Sequence, residues 1–573
     1  MFSLSIMRIL SNEKEILSYF SPPNPLKGVY TTDQSIRQLL KVPFRGFRGK
    51  IKENTTLFHS KNLQAVIFLL SIWFIQPACG ISYNILEFGA VPDGVVVNTK
   101  AIQKAIDLAS SNGGGIVWIP RGKFVTGSLQ LKSNVELFLD EGGVLLGSVN
   151  PYDYSKVEGS AVPSSPKKDD KSELGLILAI QASNVRIFGQ GTIDGQGLVL
   201  ALNVDSLHHA GVLVDKNYNY RRMRPSELAR PKLFRFLQSD NIQITGLTLT
   251  NSANWGLSFE LCKGIVLDDL TIVNRAYWNN DGIDVSECTN VRITNCHVNS
   301  ADDGICLKSY HPQACNDSVY IANCTIRSSA SAIKFGSGSF GGFKNVTIEN
   351  IKVFDTFRSA IAIESVDGAL IENIKVNNIV AKNTGNAIFI RLGHRGGEKP
   401  GIIRNVRISG MHVEIPFGRP DIDYDLRGPE VDFFHNPFPS SIVGIPGHRV
   451  ENVVIEDVTI VYPGRATKGM AYIPLADLGR VPEHIDKYPE FSMFGELPAW
   501  GFYVRHAKNM KFKNIRLKLA NDDYRPAFVF DDVDNVRVEN TTLEPGGSHA
   551  QFILKGVVNS KVEFPADKIS IVK

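Results

Sequence analysis

The stretch WNNDGIDVSECTNVRITNCHVNSADDGICLKS, residues 278–309, holds two near-copies of one short pattern, NNDGIDV and ADDGICL. Asp281 and Asp303 take the same place in each copy, and Asp302 sets a third carboxylate beside them. The rung Gly282-Ile283-Asp284-Val285 recurs as Gly304-Ile305-Cys306-Leu307, then as Ala332-Ile333-Lys334-Phe335, Ala360-Ile361-Ala362-Ile363 and Ala387-Ile388-Phe389-Ile390. The second and fourth residues are always apolar and the third varies, which is a strand with one buried face.

A second ladder lies between these rungs. It includes NIQITGLTL at 241–249, NVRITNCHV at 290–298, SVYIANCTI at 318–326, NVTIENIKV at 345–353 and NVRVENTTL at 535–543. Each copy reads as two short strands joined by a polar corner. A fixed recurrence of this kind marks a solenoid whose coils bury a continuous apolar column. The expected fold is therefore all-β, a right-handed single-stranded parallel β-helix. A leucine-rich repeat fits poorly, because its leucine spacing and helical half are missing.

Stacking turns spacing into geometry. Coils about 4.8 Å apart make Asp281 and Asp303 vertical neighbours. The next column holds Asn280, Asp302, Ala330 and Arg358. Three acids so close cannot all ionise freely, so at least one pKa should rise. A raised carboxylic acid beside ionised carboxylates suits glycosidic bond cleavage. The same oxygens also suit a solvated acidic corner or a calcium site.

NNDG followed by ADDG resembles the paired Asp motifs of the polygalacturonase family of glycoside hydrolases, in a bacterial-type member. GQGTIDGQG at 189–197, LEFGAVPDG at 86–94 and Arg230-Pro231 resemble it too. The resemblance implies inverting hydrolysis of a pectic polysaccharide or its oligomers. Asp302 would be the general acid, with Asp281 and Asp303 activating the water. It implies no metal or other cofactor, and the chain is expected to act as a monomer. Rung spacing by itself lies nearer the carboxyl separation of retaining enzymes than that of inverting ones. Rival readings are a calcium-dependent pectate lyase-type β-helix and a non-catalytic carbohydrate-binding one.

The sequence departs from the family in two rungs. Ser331 stands where the family has a histidine, and Ala362-Ile363-Glu364 replaces Arg-Ile-Lys. Asn280, Lys308, Lys334, Arg358, Arg391, His394 and Arg395 are the candidate substrate-binding residues that remain. Lys334 and Arg391 are expected to project outward one coil from Ala362 and Glu364, where they would replace the missing cations.

Residues 1–56 show no repeat and read as a basic leader. Residues 57–79 read as an export signal around the apolar run AVIFLLSIWFI, residues 65–75, too short to span a bilayer. The protein is therefore expected to be secreted or periplasmic, with Cys79 a candidate lipid attachment point. Residues 1–79 hold ten basic residues against four acidic, while the whole chain is +4. The positive balance belongs to the leader and argues against a nucleic-acid partner. Residues 80–573 are expected to form one repeat domain.

Asn98 is expected to cap a helix to about Ser110, lying over the open end of the solenoid. Insertions at 199–230, 414–449 and 462–500 are rich in aromatic and basic side chains and read as walls of a cleft. Cys296 and Cys324 take inward repeat positions and read as core.

Overall fold

Period-2 alternation makes each coil three short strands. One coil has strands Ile283–Ser286, Thr289–Thr294 and His297–Ser300, and the next has Ile305–Ser309, Asn316–Ala322 and Thr325–Ser328. They pair in parallel, with Ile283 on Ile305, Val291 on Val319 and Val298 on Ile326. This is the parallel β-helix the repeat predicts. The computed structural model describes residues 81–156, 172–421, 438–468, 473–545 and 549–572. The leader, export-signal and Cys79 readings lie outside these residues, as do Tyr424, Phe433, Phe434, His435 and Tyr472.

The inward column Ile283, Ile305, Ile333, Ile361 and Ile388 has no solvent exposure. Burying each such side chain is worth about 1.5–3 kcal/mol relative to exposure. Cys296 and Cys324 stack in the same core. The six cysteines among the described residues are all free thiols.

Two of the three corners carry a residue in the left-handed region, and asparagine fills most of these positions. Asn345, Asn373, Asn405 and Asn452 have φ of 52°, 59°, 58° and 55°. Asparagine tolerates this conformation better than other residues with a Cβ. Each carboxamide also donates to the one a coil below: Asn373 to Asn345 at 3.1 Å, Asn405 to Asn373 at 3.3 Å and Asn452 to Asn405 at 3.1 Å. The other corner runs the same way through Asn350 to Asn323 at 3.2 Å and Asn378 to Asn350 at 2.7 Å. The polar corners of the repeat are thus hydrogen-bonded ladders along the axis.

Helix α1, Thr99–Ser111, covers the N-terminal coil with Ile102, Ala105, Ile106 and Ala109 fully buried. Asn98 precedes it but makes no side-chain cap bond. Its carboxamide instead ties down the preceding loop, accepting from Val91 N and donating to Val91 O and Val96 O.

The insertions leave from the third corner. The first holds helix α2, Gly197–His209, which the sequence reading did not find. Leu198, Val199 and Leu202 on it are exposed while Leu200, Ala201 and Val204 are buried, so no clean apolar stripe marks it. In the third insertion Phe491, Phe494 and Trp500 are buried rather than lining a wall. With Leu478, Val481 and Leu497, Phe491 and Phe494 cover the outward apolar faces of Ala362, Phe389, Val443 and Tyr503.

Candidate active site

The third corner brings the paired Asp motifs together. Gly282 N donates to Asp303 O at 2.9 Å, which fixes Asp281 directly against Asp303. A Cβ at Gly282 would come within 2.5 Å of Gly304 O and of Val298 Cγ1, so only glycine lets the coils stack this closely. Carboxylate oxygens of Asp281, Asp302 and Asp303 all lie within 4.8 Å of one another. Asp281 and Asp303 are buried, whereas Asp302 is partly exposed. Asp302 Oδ1 accepts from Asp303 N at 3.0 Å.

Two lysines from the following rungs reach back to these acids. Lys308 Nζ lies 3.3 Å from Asp281 Oδ2 and 3.3 Å from Asp284 Oδ1. Lys334 Nζ lies 3.2 Å from Asp303 Oδ2. Both are buried. Burial opposes their charge, but Cys306 and Asp281 for Lys308, and Asp303 and Tyr488 for Lys334, outweigh it and hold both well above the ordinary lysine range. Lys232, from strand Lys232–Leu237, and Lys308 both face the Trp255 ring, at 4.6 and 4.5 Å from its centroid.

The acids separate in character. Burial first, then Asp284, pushes Asp281 well above the usual carboxylate range, with Lys308 working against them. Burial pushes Asp284 up to about 7 against the pull of Lys308. Burial also works on Asp303, but Lys334, Lys308 and Arg358 overcome it and hold Asp303 below the usual value. One lysine between two buried carboxyls leaves Asp281 and Asp284 raised together, while the cations around Asp303 hold it low.

The third insertion completes the site from a distance in sequence. Glu490 Oε2 pairs with Arg358 at 2.9 Å, and the Tyr488 hydroxyl lies 3.1 Å from Lys334 Nζ. Tyr488 as a whole is 48% exposed, with its hydroxyl end tied to Lys334. Glu364 is buried beside them, and burial pushes it up to about 8 despite Lys334. The first insertion adds Arg222 and Arg224 over the Trp278 ring, at 5.2 and 4.0 Å. Arg230 anchors that insertion by donating to Ala253 O at 2.6 Å and Trp278 O at 2.7 Å.

Of the candidate binding residues, Lys308, Lys334 and Arg358 converge on the acids and the others do not. Asn280 is fully buried, and its carboxamide donates to Ser252 O and Asn254 O at 2.8 Å each. Its hydrogen bonds are spent on shaping the turn that presents Asp281. Arg391 does stand one coil from Glu364. It is, however, fully buried, donating to Gly444 O at 3.0 Å, Glu483 O at 2.7 Å and His484 O at 3.1 Å. It holds the third insertion in place. Arg395 is paired with Asp367 at 2.6 Å, and His394 faces Gly397 O at 3.2 Å. Ser331, in the family's histidine position, offers its backbone N–H to Asp303 Oδ1 at 3.2 Å.

Asp284, Lys232, Trp255 and Glu490 were not singled out from sequence. Asp284 occupies the variable third position of its rung, in register with Cys306 one coil on and with Lys334 two coils on, and that column was its signal. Glu490 has no such signal, since only the folding of a long insertion brings it to Arg358.

A model described as glycosyl hydrolases family 28 matches residues 131–414, and one described as rhamnogalacturonase A/epimerase, pectate lyase-like, matches residues 82–143. The chain belongs to glycosyl hydrolases family 28. Its family 28 relatives come from plants and bacteria alike. A "Probable polygalacturonase" of Vitis vinifera is 29% identical over 341 residues, 58% of this chain and 61% of the relative. An "Exo-poly-alpha-D-galacturonosidase" of Dickeya chrysanthemi is 28% identical over 304 residues, 47% of this chain and 49% of the relative. The chain thus spans about half to three-fifths of the length of these two relatives. Among solved structures, the exopolygalacturonase of Thermotoga maritima superposes with TM-score 0.51 at 22% identity, covering 67% of this chain and 87% of the other. The family 28 exopolygalacturonase of Yersinia enterocolitica gives 0.51 at 21%, covering 85% and 79%. Both share the parallel β-helix. No helix among the described residues is long and apolar enough to cross a membrane.

Proposed function

We propose that this family 28 protein hydrolyses glycosidic bonds in a galacturonate-containing pectic polysaccharide or its oligomers. The observation that carries the reading is the meeting of Asp281, Asp302 and Asp303 within 4.8 Å on an edge where Lys308 and Lys334 are held charged. Asp302 is the partly exposed acid of the three, so it is the one placed to deliver a proton to a leaving oxygen. Asp303, kept ionised by Lys334, accepts a proton from the attacking water, with Asp281 opposite. Oxygens within 4.8 Å leave a span that one water bridges with two hydrogen bonds of about 2.8 Å each. Separations this short lie by themselves nearer those of retaining enzymes, so it is the family resemblance that carries our reading of inversion.

Glu490 and Tyr488 stand against Arg358 and Lys334 beside Asp303, which favours attack near chain ends over free passage of a long polymer. A polymeric pectic substrate lies outside the cell, consistent with export directed by the apolar run at 65–75.

The test is release of new reducing ends from a panel of pectic substrates, with the anomeric configuration of the first product read by NMR. Sugar binding with no new reducing ends overturns the hydrolase reading. An ultraviolet-absorbing unsaturated product, lost on chelation, replaces it with elimination.

A further inference from the structure

The corner that carries the catalytic acids continues along the solenoid towards the C-terminus. There it opens into a second cleft of about 1010 Å³, whose lining includes Arg465, Lys468, Asn521, Tyr524 and His549. None of these residues belongs to the catalytic cluster. Six inter-coil steps separate the two places, from the rung of Ile305 through those of Ile333, Ile361, Ile388, Ser440 and Phe502 to Phe528. At about 4.8 Å a step this is roughly 29 Å along the axis.

The chemistry of the cleft is that of a sugar site. The Tyr524 ring is 48% exposed and stacks with His549 at 6.0 Å between centroids and 26° between planes. Two near-parallel rings give the apolar face of a pyranose a platform. Lys468 Nζ stands 5.9 Å from the Tyr524 ring. Arg465 lies 4.0 Å over the Phe417 ring, which is itself 47% exposed. Among the described residues neither Arg465 nor Lys468 has a carboxylate partner, and both are exposed. Of the two nearby acids, Asp523 is committed to Arg525 at 2.9 Å. Asp522 remains at the rim, with its backbone carbonyl accepting from Arg465 N at 2.8 Å. Two cations thus outnumber the one uncommitted acid beside an aromatic platform, a composition suited to an acidic saccharide rather than a neutral one.

We propose that this cleft is a second binding site for an acidic, uronate-containing saccharide chain. It shares an edge with the catalytic acids and holds part of a long chain some coils away from them. The inference rests on the proposed substrate class. It adds that the chain is gripped twice, so a long substrate gains affinity from the second contact while a short oligomer does not.

The test uses the full chain. In the double variant Tyr524→Ala/Lys468→Ala the KM for long polygalacturonate should rise about fivefold or more, while kcat/KM on a short oligogalacturonide stays within about twofold. Lys468→Glu alone, at an exposed position that cannot threaten folding, should move the polymer KM in the same direction. Binding is read separately from catalysis. Asp302→Asn protein should be retarded in a native gel containing polygalacturonate, and less so when Tyr524→Ala/Lys468→Ala is added. Unchanged polymer KM and unchanged retardation overturn the second site and leave the hydrolase reading standing. An equal loss on polymer and oligomer overturns it as well. If the wild-type protein hydrolyses no uronate, the proposed function fails, and the gel alone still decides the cleft.

Discussion

Lys334 Nζ sits 3.2 Å from Asp303 Oδ2, reaching back one coil to an acid of the preceding rung. The contact is buried on both sides and gives Asp303 a fixed counter-charge. The third carboxyl of the cluster, Asp302, is left towards solvent. This asymmetry gives different surroundings to three acids that look alike in sequence.

Asp302→Asn should lower turnover by about two to four orders of magnitude with the thermal midpoint unchanged. The amide keeps the shape of a partly exposed side chain but has no proton to give to the leaving oxygen. Near wild-type turnover on the best substrate would show that Asp302 is not the acid.

Glu364 supplies a pH-dependent prediction. Burial pushes its carboxyl up to about 8 from the ordinary value near 4.5. Such a group stabilises the fold while protonated, and that contribution fades as pH rises from about 4.5 through about 8. Glu364→Gln stays neutral throughout. Its thermal midpoint relative to wild type should therefore climb steadily between pH 5 and 8 and level off above. A constant difference across that range, measured by calorimetry in matched buffers, refutes it.

Arg391→Ala should loosen the third insertion. The guanidinium meets the carbonyls of Gly444, Glu483 and His484, and truncation leaves these acceptors without it inside the protein. A loss of roughly 2–4 kcal/mol is expected in urea unfolding. Faster proteolytic cleavage within residues 473–500 should accompany it, with a raised KM because Tyr488 and Glu490 are no longer held. Equal protease resistance would contradict this.

Plain polygalacturonate should be turned over with a lower kcat than shorter or decorated pectic fragments, even though its length gives it the second contact. Where the family places two cations, this chain has Ala362 and Glu364, and Arg391 is occupied with backbone carbonyls. Lys334 and Arg358 remain, already paired with Asp303 and Glu490. The assay compares polygalacturonate, oligogalacturonides and rhamnogalacturonan fragments at equal sugar concentration. A steep early viscosity drop on polygalacturonate would restore internal cleavage of long chains.

The coil architecture was legible because each rung repeats the same inward pair, so Ile283, Ile305 and Ile333 announce one another. The three aspartates were legible for the same reason: register follows from the repeat. What could not be read was anything supplied by the insertions. Arg391 looked like a free outward cation because the carbonyls that take up its guanidinium, those of Glu483 and His484, lie some ninety residues further on. Asn280 looked like a polar group awaiting sugar, yet its place in the turn had already committed its carboxamide to Ser252 and Asn254. Helix α2 escaped notice because its apolar residues do not keep to one side.

The asparagine corners divide this scaffold into a part that must be copied faithfully and a part free to vary. At the corner of Asn323, Asn350 and Asn378 a single residue turns the chain and its side chain is bonded to the coil below, so an extra residue there would break the line. The other asparagine corner keeps its ladder while admitting short loops such as residues 393–401. Insertions of thirty or more residues all emerge at the remaining corner. Innovation in such a protein is channelled to one edge, the edge that already holds the acids. A lineage can exchange its walls, and with them its diet of sugars, without renegotiating the fold.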